Sequence, residues 1–194
     1  MKNLLIIFYR NPELGKVKTR LAATVGDAKA LAIYLALTTH TRMISESLSM
    51  DKIVFYSHHV DTEDNWSNAH YLKQVQHGND LGERMRNAFQ YGFQSGYDSI
   101  CIIGTDCFEL TSNILCNAFE RLLSNDTVIG PAHDGGYYLL GMKTIYPEFF
   151  SNKIWSTDTI CELTLSDIKK RDLSYELLPT LHDVDEEKDL PPVW

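Results

Sequence analysis

The sequence has few cysteines, few basic residues and no long hydrophobic run, and each shortage argues against a class of protein. It carries 18 Lys and Arg residues against 26 Asp and Glu residues, which gives a formal net charge of −8. Nucleic acids and anionic membranes bind surfaces rich in positive charge, so the chain is not expected to bind either. A phosphate ligand stays compatible with this balance, because it needs only local positive charge.

Hydrophobic runs and cysteines argue against two further classes. The longest apolar run near the N-terminus, residues 4–8, is too short for a signal peptide or a membrane span. The 4 cysteines form no CxxC pair, and no His/Cys cluster has the spacing of a zinc site. We therefore expect a cytoplasmic protein with reduced, mostly buried thiols and no membrane partner. No feature of the sequence indicates an oligomeric state.

Length and composition are those of an ordinary globular chain. The 194 residues are 44% apolar and 23% charged. A chain of this length buries about 70% of its unfolded surface and needs no disulfide or metal to hold its core. The length therefore predicts one domain over residues 1–194.

Segments typical of strands alternate with segments typical of helices along most of the chain. The predicted strands cover residues 3–9, 52–57, 71–76, 99–104, 127–130, 137–142 and 175–178. The predicted helices cover residues 27–47, 80–94, 111–123 and 158–170, and residues 10–20 are predicted to form a loop. This alternation favours an α/β fold with a mixed, mostly parallel sheet covered on both faces. Ligands of such sheets bind at the carboxyl ends of the strands.

Three of the predicted helices have candidate capping residues. Asp27 and Thr111 stand at the start of their helices, and Asp80 stands three residues before Glu83, as in a capping box. Residues 30–37 are apolar nearly all round, so we expect this part of the first helix to be buried.

The loop after the first predicted strand concentrates positive charge. Its sequence RNPELGKVKTR contains Arg10, Lys16, Lys18 and Arg20 within eleven residues. Such a loop can neutralise a diphosphate or triphosphate through charge-assisted hydrogen bonds. It is neither a Walker A loop nor a GxGxxG fingerprint, because the required glycines are missing. A solvated surface loop is the alternative interpretation.

Carboxylates and glycines follow two other predicted strands. Asp106, directly after a buried strand, is suited to a divalent cation, which takes one or two carboxylates plus phosphate oxygens. Asp134 precedes Gly135 and Gly136, which let a backbone approach a ligand closely. Asp134 is a candidate catalytic base or ligand of sugar hydroxyls. The alternatives are a turn-capping role for Asp106 and a tight turn entering a strand for the Asp-Gly-Gly segment.

Two acids near the C-terminus and three ring-bearing residues remain. Asp183 and Asp185 are candidate metal ligands, or one of them caps a short last helix. His133 and His182 each neighbour one of the candidate acids, and we expect both to be structural or peripheral. Trp155, in the sequence WST, is predicted either to start a helix with its indole in the core or to belong to an acceptor pocket.

Six strings in this order resemble one known family. They are FYRNPELGKVKTRL, HGNDLGERMRNAF, IGTDCFEL, GPAHDGGYYLLGM, WST and DVDEEKDL, and the resemblance runs from residue 4 to about residue 190. The chain resembles the uncharacterised bacterial glycosyltransferase-like family of the nucleotide-diphospho-sugar transferase superfamily, some members of which are labelled arsenosugar-biosynthesis glycosyltransferases. The first loop also resembles that of guanylyltransferases acting on phospholactate. Phe108 departs from the family pattern, which usually has Pro there.

The resemblance implies a three-layer α/β/α sandwich of GT-A type that binds a nucleoside phosphate and a divalent metal, Mg²⁺ or Mn²⁺. It implies phosphate contacts from Lys16, Lys18 and Arg20, with Arg10 in the same loop. It places Gly78, Asp80 and Arg84 beside the base or ribose. It implies that Asp106 binds the metal, with Asp183 or Asp185 as the second ligand.

Two reactions and one non-catalytic role fit these residues. The first reaction is glycosyl transfer from a nucleoside diphosphate sugar to a small acceptor. Lys18 and the metal would stabilise the departing diphosphate, and Asp134 would act as a base toward the acceptor hydroxyl or bind it. Gly135 and Gly136 would then border the substrate. In nucleotidyl transfer from an NTP to a sugar phosphate or phosphorylated acid, Lys18 and the metal would act at the α-phosphorus. A nucleotide sensor or enzyme subunit is the third hypothesis.

Overall fold

Seven strands form one mixed sheet in this computed structural model, which describes residues 1–191. The strands are β1 (Asn3–Tyr9), β2 (Asp51–Tyr56), β3 (Leu72–Val75), β4 (Ser99–Ile103), β5 (Thr127–Pro131), β6 (Tyr137–Met142) and β7 (Tyr175–Leu177). The helices are α1 (Thr19–Val25), α2 (Asp27–Glu46), α3 (Leu81–Gln94), α4 (Ser112–Leu122) and α5 (Ile160–Lys170), with 3₁₀ turns at Pro147–Phe150 and Glu187–Asp189. The strand order is β3-β2-β1-β4-β6-β5-β7.

Strand direction brings the chain segments after β1 and β4 together. β1 is buried on both faces and pairs in parallel with β2 on one side and β4 on the other. Among the seven strands of residues 1–191, only β6 runs against its neighbours, pairing antiparallel with both β4 and β5. The start of β6 therefore lies at the same sheet edge as the ends of β1 and β4. This edge carries the polar segments that the sequence analysis singled out.

The sheet is the middle of three layers. Leu5 and Ile7 of β1 belong to a core cluster with residues of α2 and α4. Leu4 and Ile6 belong to a second cluster with residues of α3 and α5. Because successive strand residues point to opposite faces, an apolar run such as β1 needs a helical layer on each side. The predicted α/β fold with a mostly parallel sheet and helices on both faces is confirmed.

The predicted N-terminal caps of α3 and α4 are confirmed. Asp80 caps α3 by accepting from the Glu83 backbone N–H at 2.8 Å, and Thr111 caps α4 by accepting from that of Ile114 at 3.3 Å. The reciprocal half of the predicted capping box differs, because the Glu83 carboxylate accepts from the Asn79 N–H rather than from Asp80.

Three predictions were wrong. Residues 10–20 are not all loop, because α1 begins at Thr19. Asp27 does not cap α2; Gly26 occupies the cap, and Asp27 lies in the first turn. The stretch 30–37 is not buried all round, since Leu35 is 44% exposed. α2 covers one face of the sheet, so its outer side faces solvent even where the residues are apolar.

No helix in the described part of the chain combines the length and the apolar character needed to cross a membrane.

Candidate functional site

A cavity of about 660 Å³ opens at the carboxyl ends of β1 and β4. The structure brings together there residues from the first loop, the turn after β4, the turn before β6 and the C-terminal acidic segment. The sequence-predicted residues in its lining are Arg10, Lys18, Arg20, Asp106, Asp134, Gly136, Asp183 and Asp185. Segments far apart in the chain thus form one polar site.

Lys18 is the central cation of this cavity. Its Nζ lies 2.8 Å from Asp106 Oδ1 and 3.1 Å from Asp185 Oδ1, and its side chain is only 5% exposed. Burial disfavours the charged ammonium, but the two carboxylates outweigh burial and raise the pKa of Lys18. The residue adopts a left-handed backbone, with φ 48°, immediately before α1. Arg20 follows two residues later in the first turn of α1, and its Nη1 lies 3.7 Å from Asp185 Oδ2.

Carboxylates outnumber the cations in this site. Burial, together with the nearby charges of Asp106 and Asp134, raises the pKa of Asp183 to about 7. Lys18 opposes the increase without cancelling it. The site therefore holds more negative charge than its own cations neutralise, and an added cation would relieve the repulsion.

The donor set suits a divalent cation only in part. No group of three His, Cys, Asp or Glu side chains within residues 1–191 is arranged to hold a metal by itself. Asp106 and Asp185 bind the Lys18 ammonium instead. However, Mg²⁺ commonly takes one or two carboxylates and completes its coordination with phosphate oxygens and water. Asp106 with Asp183 or Asp185 offers such hard oxygen ligands, so the residues fit a metal that binds together with a phosphate ligand.

Asp134 is held in place by the turn that enters β6. Its Oδ1 accepts from the Gly136 N–H at 2.8 Å, and the Gly135 N–H donates to the Ala132 carbonyl at 3.1 Å. Gly135 has φ +87°, and a Cβ there would lie 1.9 Å from the Asp158 carbonyl oxygen. Gly135 therefore lies under the segment before α5 and outside the cavity lining, whereas Asp134 and Gly136 face the cavity.

The first loop is anchored by buried residues. The Tyr34 hydroxyl of α2 donates to the Arg10 carbonyl at 2.6 Å and accepts from the Arg10 N–H at 3.0 Å. Asn11, 4% exposed, accepts at Oδ1 from Ser57 Oγ and the His58 N–H, which ties the loop to the end of β2. Lys16 lies outside the cavity lining and pairs with Glu13 at 2.6 Å. Three of the four loop cations thus line the cavity.

The segment before α3 borders the cavity through different residues from those predicted. Gly78, Asp80 and Arg84 are not in its described lining, and Arg84 Nε donates to the Gly78 carbonyl at 3.1 Å. Leu81 and Met85 line the cavity instead. The predicted contacts with a base or ribose therefore stay predictions.

Two lining residues were missed or left open by the sequence. Tyr34 lies on the apolar face of α2 and looked like a core residue, and only its hydroxyl distinguishes it from one. Trp155 lines the cavity and packs so closely on α3 that a Cβ at Gly82 would lie 2.2 Å from its Nε1. With Phe8, Leu81 and Met85 it makes one part of the lining apolar.

Comparison with known proteins identifies the family. Residues 40–157 match the model of a family described as "Uncharacterized protein conserved in bacteria (DUF2064)". The chain belongs to this family. A search of the curated proteins found no match.

One solved structure resembles the chain over most of its length. It is described as a "putative nucleotide-diphospho-sugar transferase" from Desulfovibrio desulfuricans G20, is 31% identical and superposes with a TM-score of 0.88. The match covers 96% of this chain and 84% of that one. The family and this neighbour together place the chain among proteins with the nucleotide-diphospho-sugar transferase fold.

More distant structures share the fold alone. The bifunctional IspDF of Campylobacter jejuni is 10% identical with a TM-score of 0.61; the match covers 98% of this chain and 53% of IspDF. A cytidylyltransferase from Leptospira borgpetersenii is 14% identical with a TM-score of 0.54, covering 95% of this chain and 78% of that one.

Proposed function

We propose that the protein is a metal-dependent glycosyltransferase that moves a sugar from a nucleoside diphosphate sugar to a small-molecule acceptor. The observation that carries this proposal is the charge of the cavity, where Lys18 and Arg20 lie beside a larger set of carboxylates. Glycosyl transfer separates an anionic diphosphate from a sugar carbon that gains positive charge. A cavity with both kinds of charge stabilises both parts of that transition state.

The side chains divide this work. Lys18 and Arg20 donate charge-assisted hydrogen bonds to the diphosphate, and their positive charge stabilises it as it leaves. Asp134 accepts the proton of the acceptor hydroxyl as that oxygen attacks the sugar carbon. A divalent cation held by Asp106 with Asp183 or Asp185 would neutralise further charge on the diphosphate. Trp155 and its apolar neighbours exclude water from one side of the cavity.

The comparisons support a transferase of this general type. The neighbour with 31% identity carries the description nucleotide-diphospho-sugar transferase. The narrower resemblance to arsenosugar-biosynthesis glycosyltransferases remains a prediction, and so do the roles of Gly78, Asp80 and Arg84.

Nucleotidyl transfer is the second candidate function. It is favoured by the three cations of one segment that line the cavity, Arg10, Lys18 and Arg20, because an NTP brings more negative charge than a nucleoside diphosphate sugar. Attack at the α-phosphorus would release pyrophosphate, and Lys18 would stabilise the developing charge.

The released group distinguishes the two reactions. The protein is incubated with Mg²⁺ or Mn²⁺ and either nucleoside diphosphate sugars or NTPs with sugar phosphates and phosphorylated acids, and ³¹P NMR follows the products. Glycosyl transfer predicts a nucleoside diphosphate, released slowly by hydrolysis even without acceptor. Pyrophosphate from NTP would overturn that proposal in favour of nucleotidyl transfer. No release from any substrate would contradict both reactions and favour the sensor hypothesis.

The metal role of Asp106 has its own test. Asp106→Asn is expected to weaken nucleotide binding in the presence of Mn²⁺ by ~10-fold or more, about 1.4 kcal/mol, with an unchanged circular dichroism spectrum. Asp134→Asn is the matched control in the same cavity and is expected to keep metal-dependent binding while losing transfer. Isothermal titration with and without Mn²⁺ measures the difference. Unchanged affinity in Asp106→Asn would remove this residue from the metal site.

A further inference from the structure

A second cavity, of about 700 Å³, lies beside the first. Four residues line both cavities, namely Arg20, Asp134, Asp183 and Asp185. The two spaces therefore share a wall that contains the candidate base Asp134. A molecule in the second cavity would lie next to the place where the first would hold the sugar donor.

Two stacked imidazoles form part of the second cavity. The rings of His133 and His182 have centroids 3.9 Å apart and planes inclined by 19°. His182 donates its backbone N–H to Glu109 Oε2 at 2.8 Å, with its Nδ1 3.3 Å from the same oxygen. The His133 N–H donates to the Leu181 carbonyl at 3.0 Å, beside a parallel bridge between Ala132 and Leu181. Backbone contacts thus hold together the two segments that carry these rings.

The charges of the second cavity are dominated by carboxylates. Its described lining contains two cations of lysine or arginine, and each already has a carboxylate partner. Lys188 Nζ lies 2.8 Å from Glu186 Oε2, and Arg20 lies 3.7 Å from Asp185. Glu109, Asp134, Asp183 and Asp189 add further negative charge. An anionic ligand would meet repulsion there and no unpaired lysine or arginine within the described lining.

We infer that the second cavity binds the acceptor, and that the acceptor is a neutral molecule with several hydroxyl groups rather than a phosphate ester or a carboxylate. This inference rests on the proposed glycosyl transfer. Hydroxyl groups donate well to carboxylates and to imidazole nitrogens, which are the polar groups on offer. An acceptor seated there has Asp134 in the wall that separates it from the donor.

Matched pairs of small molecules test the charge preference. Saturation-transfer NMR compares methyl β-glucoside and glycerol with glucose 6-phosphate and glycerol 3-phosphate, each with and without a nucleoside diphosphate and Mn²⁺. The neutral compounds are expected to bind at least ~10-fold more tightly than their phosphate esters. Equal or tighter binding of the phosphate esters would overturn the inference.

Variants confined to the second cavity locate the binding. His133→Ala is expected to weaken binding of the neutral compounds several-fold without changing nucleotide affinity. Glu109→Lys is expected to shift the preference toward the phosphate esters, because it replaces a carboxylate by an ammonium. Glu120→Lys, on the exposed face of α4 and in neither lining, is the control for the change in net charge. Wild-type affinity in His133→Ala together with wild-type selectivity in Glu109→Lys would place the acceptor elsewhere.

Nucleotide binding and selectivity for the neutral probes test the two proposals separately. A protein that binds no nucleotide under any condition contradicts the proposed glycosyl transfer, whereas the comparison of neutral and phosphorylated probes without nucleotide still reports on the second cavity. Normal nucleotide binding without selectivity for the neutral probes contradicts the acceptor assignment alone.

Discussion

Lys18 contacts two carboxylates at once, and a phosphate ligand must compete with both of them. A diphosphate that binds the ammonium competes with Asp106 and Asp185 for the same charge. A divalent cation that takes those carboxylates releases Lys18 toward the phosphates. Metal and nucleotide are therefore expected to bind cooperatively, because each removes the partner that the other must replace.

Replacing Lys18 is expected to affect diphosphates more than monophosphates. A charge-assisted hydrogen bond contributes roughly 1.5–3 kcal/mol, so Lys18→Ala should weaken nucleoside diphosphates ~10-fold or more. Lys16→Ala is the matched control, since Lys16 belongs to the same loop but pairs with Glu13 outside the cavity. Isothermal titration with mono- and diphosphates of one nucleoside measures both losses. Equal losses for the two ligands would place Lys18 away from the terminal phosphate.

The buried carboxyl of Asp183 is expected to make stability depend on pH. Its pKa is raised from 3.8 to about 7, so between these values the folded chain keeps a proton that the unfolded chain has lost. The free energy of unfolding contributed by this group therefore falls as pH rises from about 4 to about 7 and levels off above. A pKa difference of about 3 corresponds to about 4 kcal/mol, of which we expect about half, because Asp183 keeps some contact with water.

Urea unfolding at pH 5, 6, 7 and 8 without divalent cations checks this dependence. Between pH 5 and pH 8 the free energy of unfolding should fall by about 1.3 kcal/mol less in Asp183→Asn than in the parent chain, because the amide does not titrate. The difference between the two profiles is the relevant quantity, since all other residues are the same in both proteins. Parallel profiles would contradict the raised pKa of Asp183.

At the scale of elements, the hairpin of β5 and β6 and the segment before α5 support each other. The Cys161 N–H donates to the Gly135 carbonyl at 3.0 Å, and Gly135 leaves no room for a side chain beneath Asp158. This contact fixes the turn that presents Asp134. The turn entering a strand, which was one of the two interpretations of the Asp-Gly-Gly segment, is present in the structure, but its packing partner lies more than twenty residues away and has no local sequence signal.

Two glycines with similar backbone conformations allow the cost of backbone strain to be measured separately from the cost of overpacking. Gly135 and Gly96 have φ of +87° and +82°, but a Cβ at Gly96 would meet nothing within 4 Å. Gly96→Ala should cost only the left-handed strain of about 1–2 kcal/mol, whereas Gly135→Ala should cost about 1–3 kcal/mol more from overpacking. Urea midpoints measure the free energies. Similar losses of unfolding free energy in the two variants would show that the segment around Asp158 shifts to accommodate the methyl group at little cost.

At the scale of the whole molecule, the candidate site lies at the carboxyl ends of β1 and β4, and a ligand that binds there stabilises the native state. A nucleoside diphosphate with Mn²⁺ at a hundredfold excess over its dissociation constant is expected to add about 2.7 kcal/mol to the free energy of unfolding. For a chain of this size that shift corresponds to about 5–10 °C in Tm. Thermal unfolding with and without Mn²⁺ measures it. A shift with triphosphates alone would favour nucleotidyl transfer.

Local signals in the sequence were enough to predict most of the strands and helices. Apolar runs predicted all seven strands, and the side chains of Asp80 and Thr111 marked the starts of α3 and α4, because these signals act between residues close in the chain. The helix α1 escaped prediction, since Lys18 precedes it without a capping side chain.

Tertiary structure decided which charged residues meet. Lys18 and Asp185 are 167 residues apart in the sequence. No local pattern distinguishes Lys18, which lines the cavity, from Lys16, which lies outside it and pairs with Glu13. The backbone turn at Lys18 and the parallel pairing of β1 with β4 aim one ammonium at two distant carboxylates. The stacked pair of His133 and His182 arises in the same way, because a bridge between Ala132 and Leu181 joins their segments only in the folded chain. The sequence shows which charged side chains the chain carries, but the pairing of strands determines which of them meet in the site, because it brings together segments that are distant in the chain.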